Sequence, residues 1–381
     1  MANDLKKLMD DLILPAALPV LREACVMPAL VASDYSAEAA KKAATISVPL
    51  PQDLGEADDF DPNTGTTKTD LGSGTVDIVL DQWKYKAFGM SDKEMRESLT
   101  GGILPSAAES AVKALANSVN RNLFALYKTV PNFVGGANTT PANEDALLDS
   151  REALNLQLAG TAERRAVFDS KAEKNFLKGM KGFDKTGSTA ALREASLGRI
   201  YGFDNYSDQM VPKHTPGTAV DDSLAVNGAA AAGATSMAID GSTGTRTLVV
   251  GDVFTVANVE GQYVVTENVA AVAGAFAQVK FLPALKGAAA DNAAVTFEGT
   301  AGLPYTVNLA FQKNAFMWAA RTLADEESES STISVATDPV TGIPLRLETW
   351  RDPGKSSRIW RFDILFGTKK IRDALAVRHH G

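Results

Sequence analysis

Between Thr218 and Thr300 the chain carries 20 alanines in 83 residues and only three basic residues, Arg246, Lys280 and Lys286, against 35 Lys and Arg in the other 298 positions. Short β-prone runs fill this segment, "TLVVGDVFTVAN", "GQYVVTEN" and "AQVKFLPAL". Gly and Asn turns separate them, the pattern of a small barrel or sandwich. "PGT" precedes the segment and "GTAGLP" follows it, and both read as hinges. The flanking sequence is mixed helix and strand, so one domain must be assembled from residues on both sides of another. Surface loops tolerate such an insertion because their ends are exposed and close together.

The flanks divide further. Residues 1–44 are helix-prone but cut by Pro15, Pro19 and Pro28, and "DLKKLMDDLIL" places Leu5, Leu8, Met9, Leu12 and Ile13 on one stripe that needs a surface to lie on. Two β-prone arms, residues 45–50 and 75–88, flank a long polar connection rich in Gly, Asp and Thr. A connection of that length is uncommon unless it has a function. Ser106 and Glu109 stand in capping-box spacing, and Ala108, Val112, Leu115, Val119, Leu123 and Leu126 recur at helical steps. The spacing predicts a helix over 106–128, about 35 Å long at 1.5 Å per residue. "EDALLDSREALNLQLAG" predicts a helix ending at Gly160, "RRAVFD" a strand, and Ser170 with Glu173 the cap of a further helix. After the insertion, "YTVNLAFQKNAFMWAARTL" reads as a strand and a short helix. Pro353 and Gly354 suit the central positions of a type II turn in a terminal hairpin. Its second arm, "RIWRFDILF", breaks at Gly367 and leaves a basic tail ending in His379 and His380.

With 381 residues, 45% of them hydrophobic, the chain has core material for two or three domains. A net charge of −8 withholds the general attraction to polyphosphate that counterion release rewards, so sequence-specific nucleic-acid binding is not expected as its main task. Cys25 is the only cysteine; no intrachain disulfide can form, which fits a reducing cytoplasm. The most apolar run, "LILPAALPVL", is interrupted by Pro15 and Pro19, so neither an export signal nor a membrane anchor is expected.

Catalytic motifs are missing from the sequence. It has no G-x-S-x-G elbow, P-loop or complete G-x-G-x-x-G. His214, between Lys213 and a Thr-Pro, reads as a surface-loop histidine rather than a general base. "DFDPNTGTTKTD" (59–70) has oxygen ligands at the first, third, fifth and twelfth places of a calcium loop. Its glycine comes one place late, and a solvated hairpin tip is the better reading. "DEESES" (325–330) reads as a solvated acidic loop. No catalytic, cofactor-binding or metal-ligating residue is expected.

The order of parts, with the phrases "SVPLPQDL", "VPKHTPG", "NLAFQKNAFMWAAR" and "RFDILFGTKKIRDALAVRHH", resembles the major capsid proteins of tailed bacteriophages that carry an inserted β domain. The resemblance implies an α+β fold shared with the herpesvirus capsid floor. It divides the chain into an N-terminal arm (1–44), an extended loop with its strands (45–90), a peripheral domain with a spine helix (91–135 and 331–381), an axial domain (136–217 and 301–330) and an inserted β-barrel-like domain (218–300). It implies a structural protein, not an enzyme and without cofactors, made and assembled in a bacterial cytoplasm into an icosahedral shell around double-stranded DNA. The implied partners are copies of itself in hexamers and pentamers, a scaffolding protein and a portal, with no membrane. Two other classes fit parts of the sequence: a surface-displayed adhesion-type β protein, which would need an export signal, and a hydrolase, which would need clustered catalytic residues.

Overall fold

The computed structural model describes residue 19 and residues 26–33, 45–49, 74–94, 103–142, 145–180, 198–323, 331–338 and 342–381. The N-terminal apolar stripe, Cys25, the 59–70 stretch and the acidic 325–330 run lie outside the described residues. The fold is α+β with a small closed β-barrel, and the chain forms two compact units. The first comprises residues 1–18, 33–111 and 317–371, the second 19–32, 112–316 and 372–381.

In the first unit, β1 (Thr45–Pro49) pairs antiparallel with β2 (Thr75–Val79), so the two predicted arms do meet. The second arm is not continuous to Phe88. It stops at Val79, and β3 (Gln82–Ser91) starts three residues later to join a different sheet. That sheet runs β18 (Phe316–Arg321), β21 (Ser357–Lys370), β20 (Pro344–Asp352), β19 (Ser331–Thr337), with β3 paired to β21 over ten residues. Period-2 alternation divides its faces. Leu345, Leu347, Trp360, Phe362, Ile364 and Phe366 are buried on one, where Phe88 stacks on Trp360 at 5.5 Å.

Three local expectations are corrected here. "FMWAAR" is strand β18, not helix; a one-turn 3-10 segment, Lys313–Ala315, precedes it, and sheet pairing overrides the Ala-rich helix propensity. The turn after Asp352 is not type II, since the left-handed φ falls on Ser356 (φ 44) rather than on Gly354. Nor does the strand break at Gly367, because β21 continues to Lys370. The glycine is there because β2 comes close: a Cβ would lie 2.1 Å from the Val79 carbonyl oxygen and 2.9 Å from its carbon. Gly367→Ala must therefore push backbone against backbone and is expected to cost about 1–3 kcal/mol. Gly89→Ala, whose Cβ meets nothing nearer than 3.4 Å, is the control. Urea midpoints of the two variants check this, and equal midpoints would refute it.

Helix α2 (Ile103–Ala125), after the short α1 (Met27–Leu30), begins three residues before the predicted capping box, so Ser106 lies inside the helix and does not cap it. Of the predicted stripe, Ala108, Val112, Leu115, Val119 and Leu123 are buried, while Leu126 lies past the end of the helix and is half-buried. A 3-10 turn, Leu126–Thr129, ends it.

The second unit is a seven-stranded sheet and the barrel. The sheet runs β4 (Phe133–Val134), β22 (Ala376–His380), β17 (Tyr305–Gln312), β5 (Arg164–Phe168), β7 (Phe203–Ser207), β6 (Arg199–Ile200), with β8 (Lys213–His214) also on β17. The terminal residues are thus an inner strand, parallel to β4 and antiparallel to β17. Helices α3 (Asp145–Leu156) and α4 (Ser170–Met180) complete a core with the sheet through Leu147, Leu154, Phe168, Phe176, Phe203 and Val377. The cap of α4 is Asp169, whose Oδ1 accepts the Ala172 N–H at 2.9 Å; Glu173 instead accepts the Ser207 hydroxyl.

The inserted segment closes into a six-stranded antiparallel barrel. Its strands are β9 (Leu224–Val226), β10 (Ser236–Asp240), β15 (Phe276–Leu282), β13 (Val259–Val265), β12 (Val253–Val256) and β16 (Ala294–Phe297), which returns to β9. A two-stranded ribbon, β11 (Thr247–Leu248) with β14 (Val269–Ala270), stands beside it. Phe254 packs against Tyr263, Phe281 and Phe297, with ring centroids 5.1–5.6 Å apart, and closure leaves the barrel without an open sheet edge.

Candidate functional site

A buried polar cluster lies where the barrel meets the sheet of the second unit. Chain enters the barrel through β8 and Gly217, and the carboxylate of Asp252 fastens this entry. It accepts N–H bonds from Gly217 at 3.2 Å and Val249 at 2.8 Å, and from the His214 ring at 2.9 Å. Gly217 allows the approach, since a Cβ would fall 2.2 Å from the Thr247 carbonyl oxygen. A carboxylate accepts hydrogen bonds, so His214 carries its proton on Nε2 and accepts from the Tyr127 hydroxyl at Nδ1, 3.1 Å away. His214 is 2% exposed on β8, which overturns its reading as a surface-loop histidine.

The terminal strand supplies the other half. Arg378, fully buried, donates from Nη1 to the Gly251 carbonyl at 2.7 Å and lies 5.3 Å over the Tyr127 ring. Burial lowers its pKa to about 10, which leaves it charged. Burial also pushes the Tyr127 phenol up to about 12 and Tyr305 above the usual phenol range, so both stay neutral. His380 is stacked on Phe133 at 5.1 Å with 7° between planes and packs on Tyr305 at 4.7 Å; His379 faces the Ser150 hydroxyl at 3.3 Å. Two more contacts tie the barrel down: Gln262 exchanges a pair of bonds with the Phe133 backbone, and Glu298 accepts the Ala137 N–H.

A His–Asp–Tyr chain invites a catalytic reading, and the geometry argues against it. Both nitrogens of His214 are engaged, neither by a serine, threonine or cysteine that could act as nucleophile. Asp252 is 1% exposed, so no substrate reaches it. A cleft of about 720 Å³ between α3 and the barrel is lined by Asp149, Glu152, Glu260, Lys286 and Asp373 but by no histidine or cysteine. Among the described residues no three His, Cys, Asp or Glu side chains gather to hold a metal ion, and no helix is long and apolar enough to cross a membrane.

The first unit offers a surface rather than a joint. On the sheet face opposite the apolar one, Arg346 and Arg361 flank Glu348 and the fully buried Asp363. Nitrogen–oxygen separations are 2.8 Å for Arg346 to Glu348 and 3.3 and 3.2 Å to Asp363 from the two arginines, with Arg361 also paired to Glu348. Desolvation raises the Asp363 pKa despite both guanidinium groups. Beside them, β3 presents Trp83 and Tyr85 to solvent, 57% and 67% exposed. Large aromatics on an edge strand are what a partner surface requires and what an isolated monomer avoids.

None of Asp252, Arg378 or His380 was legible as part of a cluster. Residues 214, 252 and 378 are far apart in sequence, and no spacing predicts that they meet. The available hint was that His214 and His379 each follow a basic residue, Lys213 and Arg378.

No protein-family model and no curated protein sequence matches the chain. Solved structures do. A chain from Mycobacterium phage Che8 is 14% identical with a TM-score of 0.53, the match covering 93% of this chain and 90% of that one. A chain from the capsid structure of the cyanophage P-SCSP1u is 11% identical with a TM-score of 0.48, covering 92% and 84%. One from the mature capsid of bacteriophage PhiM1 is 10% identical with a TM-score of 0.45, covering 90% and 83%. At such identities the likeness is one of fold, and the Che8 chain shares that fold nearly end to end.

Proposed function

We propose that this chain is the major capsid protein of a tailed bacteriophage, a subunit that assembles into the icosahedral shell around double-stranded DNA. The observation that carries the reading is the fold likeness to the Che8 phage chain over 93% of this chain and 90% of that one. The capsid-like phrases of the sequence support it independently.

In this reading residues 1–44 are the N-terminal arm and 45–90 the extended loop with its strands. Residues 91–135 and 331–381 form the peripheral domain with α2 as spine helix, 136–217 and 301–330 the axial domain, and 218–300 the inserted barrel. The last strand belongs to the axial sheet rather than to the peripheral one. Partners are copies of the chain in hexamers and pentamers, with a scaffolding protein and a portal during assembly, and the home of the protein is the virion. Its work is assembly, not catalysis. Each stable contact needs about 1,200–2,000 Å² of buried surface, and repetition around a closed array multiplies modest affinities. The exposed Trp83 and Tyr85 suit such a contact, and the −8 charge suits a container that does not grip its genome by sequence.

Negative-stain microscopy and size-exclusion chromatography of the full chain, alone and co-expressed with the scaffolding protein, test this. Closed particles are expected; a small oligomer under both conditions would refute it. Deleting residues 1–30 or shortening 53–73 is expected to leave a folded subunit that closes no shells. Normal assembly by either variant would overturn the roles given to arm and loop.

A further inference from the structure

The chain has three histidines in 381 residues, and all three are buried in or beside the joint between barrel and sheet. No other imidazole is present, so any imidazole titration of this protein takes place there. Two of the three stand on β22. β22 is kept by pairing with β17 and β4, by the Gly381–Thr306 backbone pair, and by Arg378, which reaches the barrel at Gly251.

The surroundings of His380 accommodate only a neutral ring. It is 0% exposed between Phe133 and Tyr305, and neither ring nitrogen meets a hydrogen-bond partner among the described residues. Besides burial, Arg378 and His379 from its own strand and His214 from β8 each oppose a positive charge on it. Tyr305 from β17 and Tyr127 from the 3-10 turn are neutral. The carboxylate of Asp252 is already engaged by His214, Gly217 and Val249, and that of Glu298 by Ala137. His379, walled by α3, has only the Ser150 hydroxyl beside Nδ1.

We propose that the terminal strand Ala376–His380 is an acid-released latch: protonation of His379 and His380 drives it from the sheet and withdraws Arg378 from Gly251, loosening the attachment of the barrel to the sheet. Release exposes both imidazoles to water, where the charged form is solvated. The pH dependence has a definite sign. Burial lowers the pKa of His379 to about 4 and that of His380 well below 6.5. The released strand therefore binds more protons than the docked one below pH 6.5. The latch is fully closed above that pH, and loses hold as pH falls from 6.5 toward the docked values. Each histidine favours release by up to about tenfold per pH unit inside that window, so His379 alone gives roughly fortyfold between pH 6.5 and 4.5, and His380 adds to it.

Amide hydrogen exchange of the full-length protein, read by mass spectrometry and corrected for intrinsic rates, tests the latch. Protection of residues 376–380 is expected to fall at least a hundredfold from pH 6.5 to 4.5, while strand Val253–Val256 inside the barrel keeps its own. H379Q/H380F, which cannot take up the protons, is expected to lose this pH slope. Exchange of the imidazole C2 proton in the wild-type chain gives a second readout that needs no variant to fold. His379 and His380 should gain protons only as the 376–380 amides open. Protection independent of pH, an unchanged slope in the variant, or either histidine titrating near 6.5 with the strand still protected would overturn the proposal.

Discussion

Ending the chain at Leu375 is expected to abolish the cooperative unfolding of the second unit. Six residues are a small loss in length, but Ala376–His380 is an inner strand. Its removal opens the edges of β17 and β4, breaks a five-residue register, and deletes the Gly381–Thr306 pair. Each ladder bond contributes about 0.5–1.5 kcal/mol net, and the stranded groups left on β17 cost more than the bonds themselves contribute. Val377 leaves the core beneath α3, and Arg378 leaves Gly251 and Tyr127. The sum is about 5 kcal/mol or more, comparable to the whole stability of a domain. The barrel, closed on itself around Phe254, should survive. Urea unfolding followed by amide exchange of β17 in the sheet and of the barrel strands separates the two, since all four tryptophans lie in the first unit. A truncated chain melting within about 1 kcal/mol of the full one would show that the strand merely decorates the sheet.

The contrast between what could and could not be read follows from the range of the interactions. The barrel was legible because its cause is local: β-prone runs and turn residues alternate within 83 positions, and hinge-like Gly and Pro mark both ends. The stripe of α2 was legible because helical period is a property of neighbours. Local signals failed where two candidates competed for one role. Asp169 displaced Ser170 as the cap because the turn after β5 carries the backbone into α4 one residue earlier. "FMWAAR" became strand because a sheet edge was available to it. The burial of the terminal "VRHH" depends on Phe133, Tyr305 and Gly251, which come from three other parts of the chain. The joint lies beyond single-sequence reasoning for the same reason, since its members meet only where the barrel packs on the sheet.

Asp252→Ala is expected to be the most damaging single substitution in that joint. The carboxylate satisfies three donors at once, and its loss strands the Gly217 and Val249 amides and the His214 Nε2–H in a site that water does not reach. It also removes a negative charge that acts on the buried guanidinium of Arg378, which forms no ion pair of its own within 4 Å among the described residues. Removing one partner from a buried charged network costs about 3–5 kcal/mol, more than the network adds when intact, because the remaining charge stays desolvated. Asp252→Asn keeps the shape and one acceptor oxygen but not the charge, and should fall between Ala and wild type. Asp291→Ala supplies the comparison, since it also loses a carboxylate bonded to a backbone amide, Gly228, but at an exposed site where water replaces the acceptor. It should cost less than about 1 kcal/mol. If urea midpoints rank the three as Asp252→Ala lowest, then Asp252→Asn, then Asp291→Ala near wild type, the joint is held by this one carboxylate. If Asp252→Asn instead matches wild type, hydrogen bonding alone holds the barrel entry, and the charge of Arg378 is balanced from elsewhere.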